Sequence, residues 1–423
     1  MLKSLFKKFK KTPVFKAIQK TIPYRALRKV YRFIRKRARM IYRYEMLRKH
    51  YPNLYKKHAA RPVNDKKVVF IEVREAKISD SFSLMYKRVQ EQNRYEVHTH
   101  FLRSGFSKRK EYQHACEAMI TDIADAKYIF LNESSDVIAA LPMRKETIVT
   151  QLWHGCGAFK KFGMSTAELI FGDDRKTLEK YPYHGNYTYV TVSAPEVAWA
   201  YEEAMSLEDK KGVVVPTGIS RSDIFFDMDA KTAARKKLYD VVPQAKGKKV
   251  ILYAPTFRGR VAKAKTPNAL DIAAFGDALS KDYVLLFKLH PFVKKRTAIP
   301  EGYEDFAFDC TDDMSIEELL FVADICISDY SSLVFEYSLF EKPMIFFAFD
   351  LDNYYDWRGF YYDYKEFVPG PIYTTTEEMI DYIKHIDTKF DKQKVTQFRD
   401  KFMSACDGHA TERIMKLVFD GEK

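Results

Sequence analysis

Four short stretches place hydroxyl, imidazole and cationic side chains directly after apolar runs. In QLWHGCGAFKKFG, residues 151–163, His154 follows a strand-like run and precedes Gly155, Cys156 and Gly157, with Lys160 and Lys161 one turn later. An imidazole there could accept a proton near neutral pH, and the glycines let backbone approach a ligand closely. A structural histidine closing a strand end is the competing reading. YAPTFRGR, 253–260, ends on Thr256 and Arg258, whose guanidinium suits bidentate phosphate contact. KLHP, 288–291, puts Lys288 and His290 on one face if the strand continues through them, because strand side chains alternate. That pair suggests a phosphate clamp or a general acid. In CISDYSSLVFEYSLF, 326–340, Ser328 and Asp329 end an apolar run, and Ser331 and Ser332 precede Leu333, Phe335, Glu336, Leu339 and Phe340 in helical spacing. A strand entering a helix in this way leaves N–H groups and two hydroxyls for an anion. Alternatively, Asp329 and Ser331 simply cap the helix.

These groups need strands to carry them. From Lys66 onward, apolar runs at 68–73, 95–102, 127–131, 147–152, 189–192 and 212–215 alternate with helical patterns such as 80–90, 111–123 and 195–205. The Pro-, Gly- and Lys-bearing segment 242–249 interrupts the series. Runs at 250–256, 284–290, 323–327 and 344–349 then restart it, with helices expected near 270–279 and 315–321. Such alternation predicts parallel sheets covered on both faces. The expected fold is α/β, with two Rossmann-like domains facing a central cleft: 63–243, and 244–423. Ligands of open α/β sheets bind beyond the carboxyl ends of the strands, where His154, Thr256, Arg258, His290, Ser331 and Ser332 all fall.

Residues 1–62 form a third part. Residues 1–50 carry 18 Lys and Arg against the single acid Glu45, so the net charge of +14 lies wholly in this segment. Leu2, Leu5, Phe6 and Phe9 are helically spaced, as are Leu27, Val30, Tyr31, Ile34, Ala38 and Ile41, with cations around both stripes. This predicts a basic amphipathic helical arm lying on an anionic membrane surface, each cation contributing about 1 kcal/mol there. Nucleic-acid binding, an organellar transit peptide and a solvated helix packed on the body are the competing readings, and no nucleic-acid partner is expected. There is no run of about 18 apolar residues and no secretory leader pattern. Five cysteines without CxxC spacing suit a reduced, cytoplasmic protein without structural zinc.

No GxxxxGK[ST], GxSxG or HExxH motif occurs. Asp227-Met228-Asp229 and Asp350-Leu351-Asp352 have a spacing that could hold Mg²⁺, but acids two apart in a loop are commonplace. No cofactor is required by the expected chemistry. The aromatic cluster Tyr354, Tyr355, Trp357, Phe360, Tyr361 and Tyr362 could stack on a base or sugar, or serve packing.

WHG with its following lysines, APTFR, KLHP, and then DYSS, FEY, KPMIFFAFDLDNY, RGFYYDY and VPGPI in that order resemble the CDP-glycerol glycerophosphotransferase family. The likeness runs from about His154 to Tyr373, and more loosely from Val68. It implies a GT-B-like fold, CDP-glycerol or CDP-ribitol as donor, a membrane lipid-linked glycan or growing teichoic or capsule chain as acceptor, and CMP as leaving group. By the same resemblance His154 would deprotonate the acceptor hydroxyl, and His290 would donate to or neutralise the departing phosphate. Arg221 of TGISRSD, Thr256, Arg258, Ser331 and Ser332 would hold the diphosphate and nucleotide, and Glu336 a ribose hydroxyl. Gly155, Cys156, Gly157, Lys288 and Arg358 complete the expected binding set. Where the family has Thr-Pro after WHG, this chain has Cys156-Gly157. The short stretch before the first sheet favours a primase or short-format polymerase, on the cytoplasmic face of the membrane, and a homo-oligomer is compatible with it. The alternatives are a GT-B glycosyltransferase using a nucleotide sugar, and a non-catalytic glycan- or lipid-binding protein of the same fold.

Overall fold

A computed structural model describes residues 22–170, 172–259, 264–267, 269–352, 354 and 359–420. The first sheet contains β1 (Asn64–Glu72), β2 (Glu96–Phe101), β3 (Ala126–Leu131), β4 (Ile148–Gln151), β5 (Tyr189–Thr191) and β6 (Val214–Val215), in the order β2-β1-β3-β4-β5-β6. The second contains β7 (Lys249–Tyr253), β8 (Tyr283–Phe287), β9 (Ala307–Asp309), β10 (Ile325–Ser328), β11 (Met344–Phe347) and β12 (Ile372–Tyr373), in the order β12-β11-β10-β7-β8-β9. Every pairing is parallel. β8, β10 and β11 are buried at every position, which is why their sequences are unbroken apolar runs and do not alternate. The expected pair of Rossmann-like sheets is therefore present. β9 and β12 were not anticipated; they are edge strands of three and two residues.

The arm divides in two. Helix α1 (Ile22–Tyr44) has no acidic residue. Its stripe is open to solvent: Leu27 is 70% exposed and Ile34 59%. From Glu45 the chain turns inward through a π-helical segment (Glu45–His50), which buries Leu47, and α2 (Tyr51–His58), which packs the buried Tyr51 and Tyr55 against the helix Arg109–Ile123. The expected arm of 1–62 thus ends as part of the body. The residues Leu2 to Phe9 lie outside the described residues. No helix among the described residues is long and apolar enough to cross a membrane.

The far end of the chain also departs from the expected boundaries. Helices α3 (Ile316–Val322) and α4 (Leu333–Ser338) cover the second sheet. Helix α5 (Lys392–Phe402) then stacks Phe398 on Phe335 of α4 at 5.3 Å. Helix α6 (Ala410–Phe419) leaves that unit altogether. Its Ile414, Met415, Val418 and Phe419 share a core with Val68, Phe70 and Phe130 of the first sheet and with Phe82, Met85 and Val89. Asp223 of the first unit accepts from the N–H groups of Ala410 and Thr411 and so fixes the helix start. The sequence boundary of 244–423 is corrected accordingly: the last helix completes the first unit, because that sheet's outer face is otherwise only partly covered.

Candidate active site

The two sheets meet at their carboxyl ends. On the first side, β4 ends and Trp153 adopts a left-handed φ of +60°, a strained conformation for a bulky residue that turns the chain sharply. Gln151 Oε1 accepts from the Trp153 N–H, and the indole stacks on the His154 ring at 4.5 Å. His154 Nδ1 lies 3.0 Å from the carbonyl oxygen of Asn132, at the end of β3. A carbonyl only accepts, so Nδ1 carries the proton and Nε2 presents a lone pair. Asn132 is itself fixed, its amide donating to the buried Glu72 at 2.9 Å and to Ser79 at 2.9 Å. The Glu133 carboxylate stands 3.6 Å from Nδ1. Neither Asn132 nor Glu133 was marked in the sequence. The only signal was their position just after an apolar run.

The glycine loop after His154 is held rather than open. A Cβ on Gly155 would stand 3.7 Å from Ser332 Oγ, so this peptide faces the Ser331-Ser332 turn across the cleft. Gly157 donates to Ser193 Oγ and accepts from the Tyr201 hydroxyl. Its φ is +66°, which proline cannot adopt, and a Cβ there would lie 2.2 Å from the Phe335 ring. Cys156 is buried and hydrogen-bonded to the Cys406 thiol, which, with burial, pushes Cys156 up. All five cysteines are unbridged and buried. Cys156 and Gly157 therefore shape the loop, and of the three residues expected to contact ligand only Gly155 faces the cleft.

Arg221 stands on a 3₁₀ turn (Ser220–Phe226) and donates to the His154 carbonyl oxygen at 2.7 Å. Its other nitrogen pairs with Glu317 of α3, in the second unit. Glu336 of α4 is buried, which pushes its carboxyl up, while the Arg221 charge and the Cys156 N–H favour the anion. Arg221 Nε and Glu336 Oε2 have no partner among the described residues.

On the second side, Asp329 accepts from the Thr256 N–H at 2.8 Å and the Tyr330 N–H at 2.6 Å. It thereby ties the ends of β7 and β10, the point where strand order reverses, and does not cap α4. Ser332 makes no capping bond, and Ser331 Oγ accepts only a long one from Leu333 N, at 3.4 Å. Thr256 Oγ1 is buried without a partner among the described residues. Arg258 is bound by Asp350 through two contacts of 2.6 and 2.9 Å and by Asp329 at 2.9 Å, with Tyr330, Phe349 and Tyr354 around it. Its guanidinium is thus engaged within the second unit, by Asp329 at the end of β10 and Asp350 after β11. Asp350 is engaged by that arginine, and Asp227 caps the helix Met228–Val241, so both DxD pairs have structural employment.

Lys288 departs from the clamp reading. β8 stops at Phe287, alternation ends there, and Nζ donates to the carbonyls of Thr311 (2.8 Å) and Met314 (2.5 Å). His290 remains at the cleft between Phe257 and Phe292. Its Nδ1 accepts from the Phe292 N–H at 3.2 Å, so the neutral ring carries its proton on Nε2. Burial, with the Lys160 charge adding to it, brings His290 down to about 4. At neutral pH it is a neutral hydrogen-bond donor. The two histidines thus present opposite faces, an acceptor at His154 Nε2 and a donor at His290 Nε2.

Beyond the loop, Lys161 N donates to the Gly359 carbonyl and Tyr361 N to that of Phe159, a short antiparallel join between the units. Tyr354 stacks on Tyr330 at 3.9 Å and is buried, and the buried Phe360 also meets Phe159 of the first unit at 5.2 Å, so these aromatics serve packing. Tyr355, Trp357 and Arg358 lie outside the described residues.

A family model described as CDP-Glycerol:Poly(glycerophosphate) glycerophosphotransferase matches residues 53–420. The chain belongs to this family. It is 37% identical to the teichoic acid poly(ribitol-phosphate) polymerase of Bacillus spizizenii over 86% of this chain and 58% of that one. It is 35% identical to the teichoic acid ribitol-phosphate primase of the same organism, over 85% of this chain and 92% of that one. The teichoic acid glycerol-phosphate primase of Bacillus subtilis is 29% identical over 70% of this chain and 74% of that one. The chain thus spans just over half of the polymerase and nearly all of the ribitol-phosphate primase. Among solved structures, the wall teichoic acid polymerase TagF superposes with a TM-score of 0.71 at 22% identity, covering 92% of this chain and 97% of that one, which shows the shared GT-B-like fold.

Proposed function

We propose that the chain transfers a polyol phosphate from a CDP-activated donor to a hydroxyl of a lipid-linked teichoic or related chain, releasing CMP. The observation that carries this is the opposition of His154 Nε2, free to accept a proton, to the uncapped Ser331-Ser332 turn across Gly155. In this reading the acceptor hydroxyl gives its proton to His154 as its oxygen attacks the polyol-bearing phosphorus. The bond to the CMP oxygen breaks, and that oxygen leaves with the electron pair. His290 donates a hydrogen bond from Nε2 to the phosphate whose charge grows. Arg221, Thr256, Ser331, Ser332 and Glu336 hold the donor. Phosphoryl transfer draws mainly on such positioning and charge stabilisation.

The donor we favour is CDP-ribitol. Relatives named for ribitol phosphate are 34–37% identical over 83–86% of this chain, whereas those named for glycerol phosphate are 29–31% identical over 64–71%. The arm supports work at the cytoplasmic face of a membrane, since the exposed stripe of α1 lies among cations. Incubating the full chain with CDP-ribitol, CDP-glycerol or UDP-sugars and a lipid-linked acceptor, then measuring CMP and sizing the product, tests the reading. CMP release with CDP-ribitol at the highest kcat/KM is expected. UMP or UDP release, or donor binding without turnover, would overturn it.

A further inference from the structure

Glu133 has no place in the motif pattern, yet it is the acid nearest the proposed base. Its Oε1 stands 3.6 Å from His154 Nδ1, too far for a hydrogen bond but within ion-pair range once the ring is charged. The carboxylate is mostly buried, 20% exposed against 43% for the imidazole. Its backbone carbonyl accepts from Gln151 Nε2 at 3.0 Å, pinning the residue to the end of β4, the strand that delivers His154. The half-exposed Arg74, past the end of β1, sits 3.5 Å from Oε2 and keeps the other oxygen turned away from the ring. Three strand ends therefore converge on one imidazole: β4 supplies the ring, β3 the Asn132 carbonyl and the Glu133 charge, and β1 their supports.

We infer that Glu133 is a positioning residue for His154, resting on the reading of His154 as the base. The Asn132 carbonyl fixes the tautomer, and the Glu133 carboxylate offsets the positive charge that appears on the ring when Nε2 takes the acceptor's proton. The proton stays on the imidazole and is not passed on to the carboxylate. Its contribution is made only as charge develops, so it belongs to turnover and not to donor affinity.

The test is a double-mutant cycle with the full chain, CDP-ribitol and lipid-linked acceptor, folding being checked by thermal melting. Glu133→Gln is expected to lower kcat by roughly 10- to 100-fold with the donor KM within about twofold. Glu133→Asp, which keeps the charge, is expected to recover at least half of that loss on a logarithmic scale. In a His154→Ala background Glu133→Gln should change the residual rate by less than about twofold, because there is no ring left to support. An equal loss in both backgrounds would show a merely structural residue, and a raised KM at constant kcat a binding one; either overturns the inference. Near-normal activity in His154→Ala would instead remove the base reading, whereas loss there beside an unaffected Glu133→Gln removes this inference alone.

Discussion

Arg221 joins the His154 carbonyl oxygen, at 2.7 Å, to the Glu317 carboxylate of the opposite unit. The peptide that carries the base is thereby tethered to the half of the molecule that would hold the donor. Removing the guanidinium leaves Glu317 and the buried Glu336 facing each other without a counter-charge. Arg221→Ala should lower stability by about 3 kcal/mol, the scale of breaking a buried pair. Arg221→Lys should recover most of that stability but not turnover, since an ammonium cannot span both partners as the planar fork does. Urea unfolding and initial-rate assays on both variants check this; equal recovery of stability and rate by lysine would contradict it.

His290 and His184 give the fold an acid limit. Burial, with the neighbouring Lys160 and His154 charges respectively, lowers them to about 4 and about 3. Between pH 6.5 and 4 the unfolded chain binds protons at these sites that the folded chain does not, so stability falls as pH falls through that window. For His184, which is 9% exposed, the loss is on the order of 3 kcal/mol over the window, and for the half-buried His290 it is smaller. Urea midpoints measured from pH 7 to 4 should decline, and the decline should shrink in His184→Phe. A flat profile in the wild type would exclude it.

His290 should also tolerate one replacement better than another. As a neutral donor it is imitated by an amide, so His290→Gln should retain about tenfold more turnover than His290→Ala, which should lose 10²-fold or more. Equal rates in the two variants would show that charge or ring stacking is what the site uses.

Gly157 holds a left-handed φ of +66° against the Phe335 ring. Gly157→Ala forces a Cβ into a left-handed position and onto Phe335, and should cost about 3 kcal/mol. Part of that cost comes from the ring, so combining it with Phe335→Leu should cost at least 1 kcal/mol less than the sum of the two single changes. Additive losses would show that backbone strain alone matters.

Deleting residues 1–40 should leave a folded, active body, because among the described residues the first buried one is Leu47. Sedimentation with vesicles rich in anionic lipid should be lost, while neutral vesicles should bind neither form. Unchanged sedimentation of the truncated chain would discard the arm as the membrane contact.

The parallel sheets could be read in advance because strands such as Tyr283–Phe287 are buried on both faces and so appear as unbroken apolar runs. His154 and His290 were visible for the same reason, each following such a run. What the sequence concealed depends on pairing between distant strands. Glu133 lies 21 positions before His154 and meets it only because β3 and β4 are neighbours in register. The pairing of Arg258 with Asp329 and Asp350, far along the chain, was hidden in the same way. Lys288 was misplaced by one error of strand length, since alternation fails as soon as β8 ends at Phe287.

Helix α6 returns from the second half to cover Phe70 and Phe130 of the first sheet. During synthesis that sheet would emerge early and wait, one apolar face incompletely covered, until Ala410–Phe419 has left the ribosome. The unit that begins folding first is thus completed only after the second has emerged. Loss of Ala410–Phe419 would damage the unit far from it in sequence, and neither unit can be expected to fold cleanly when cut from the other.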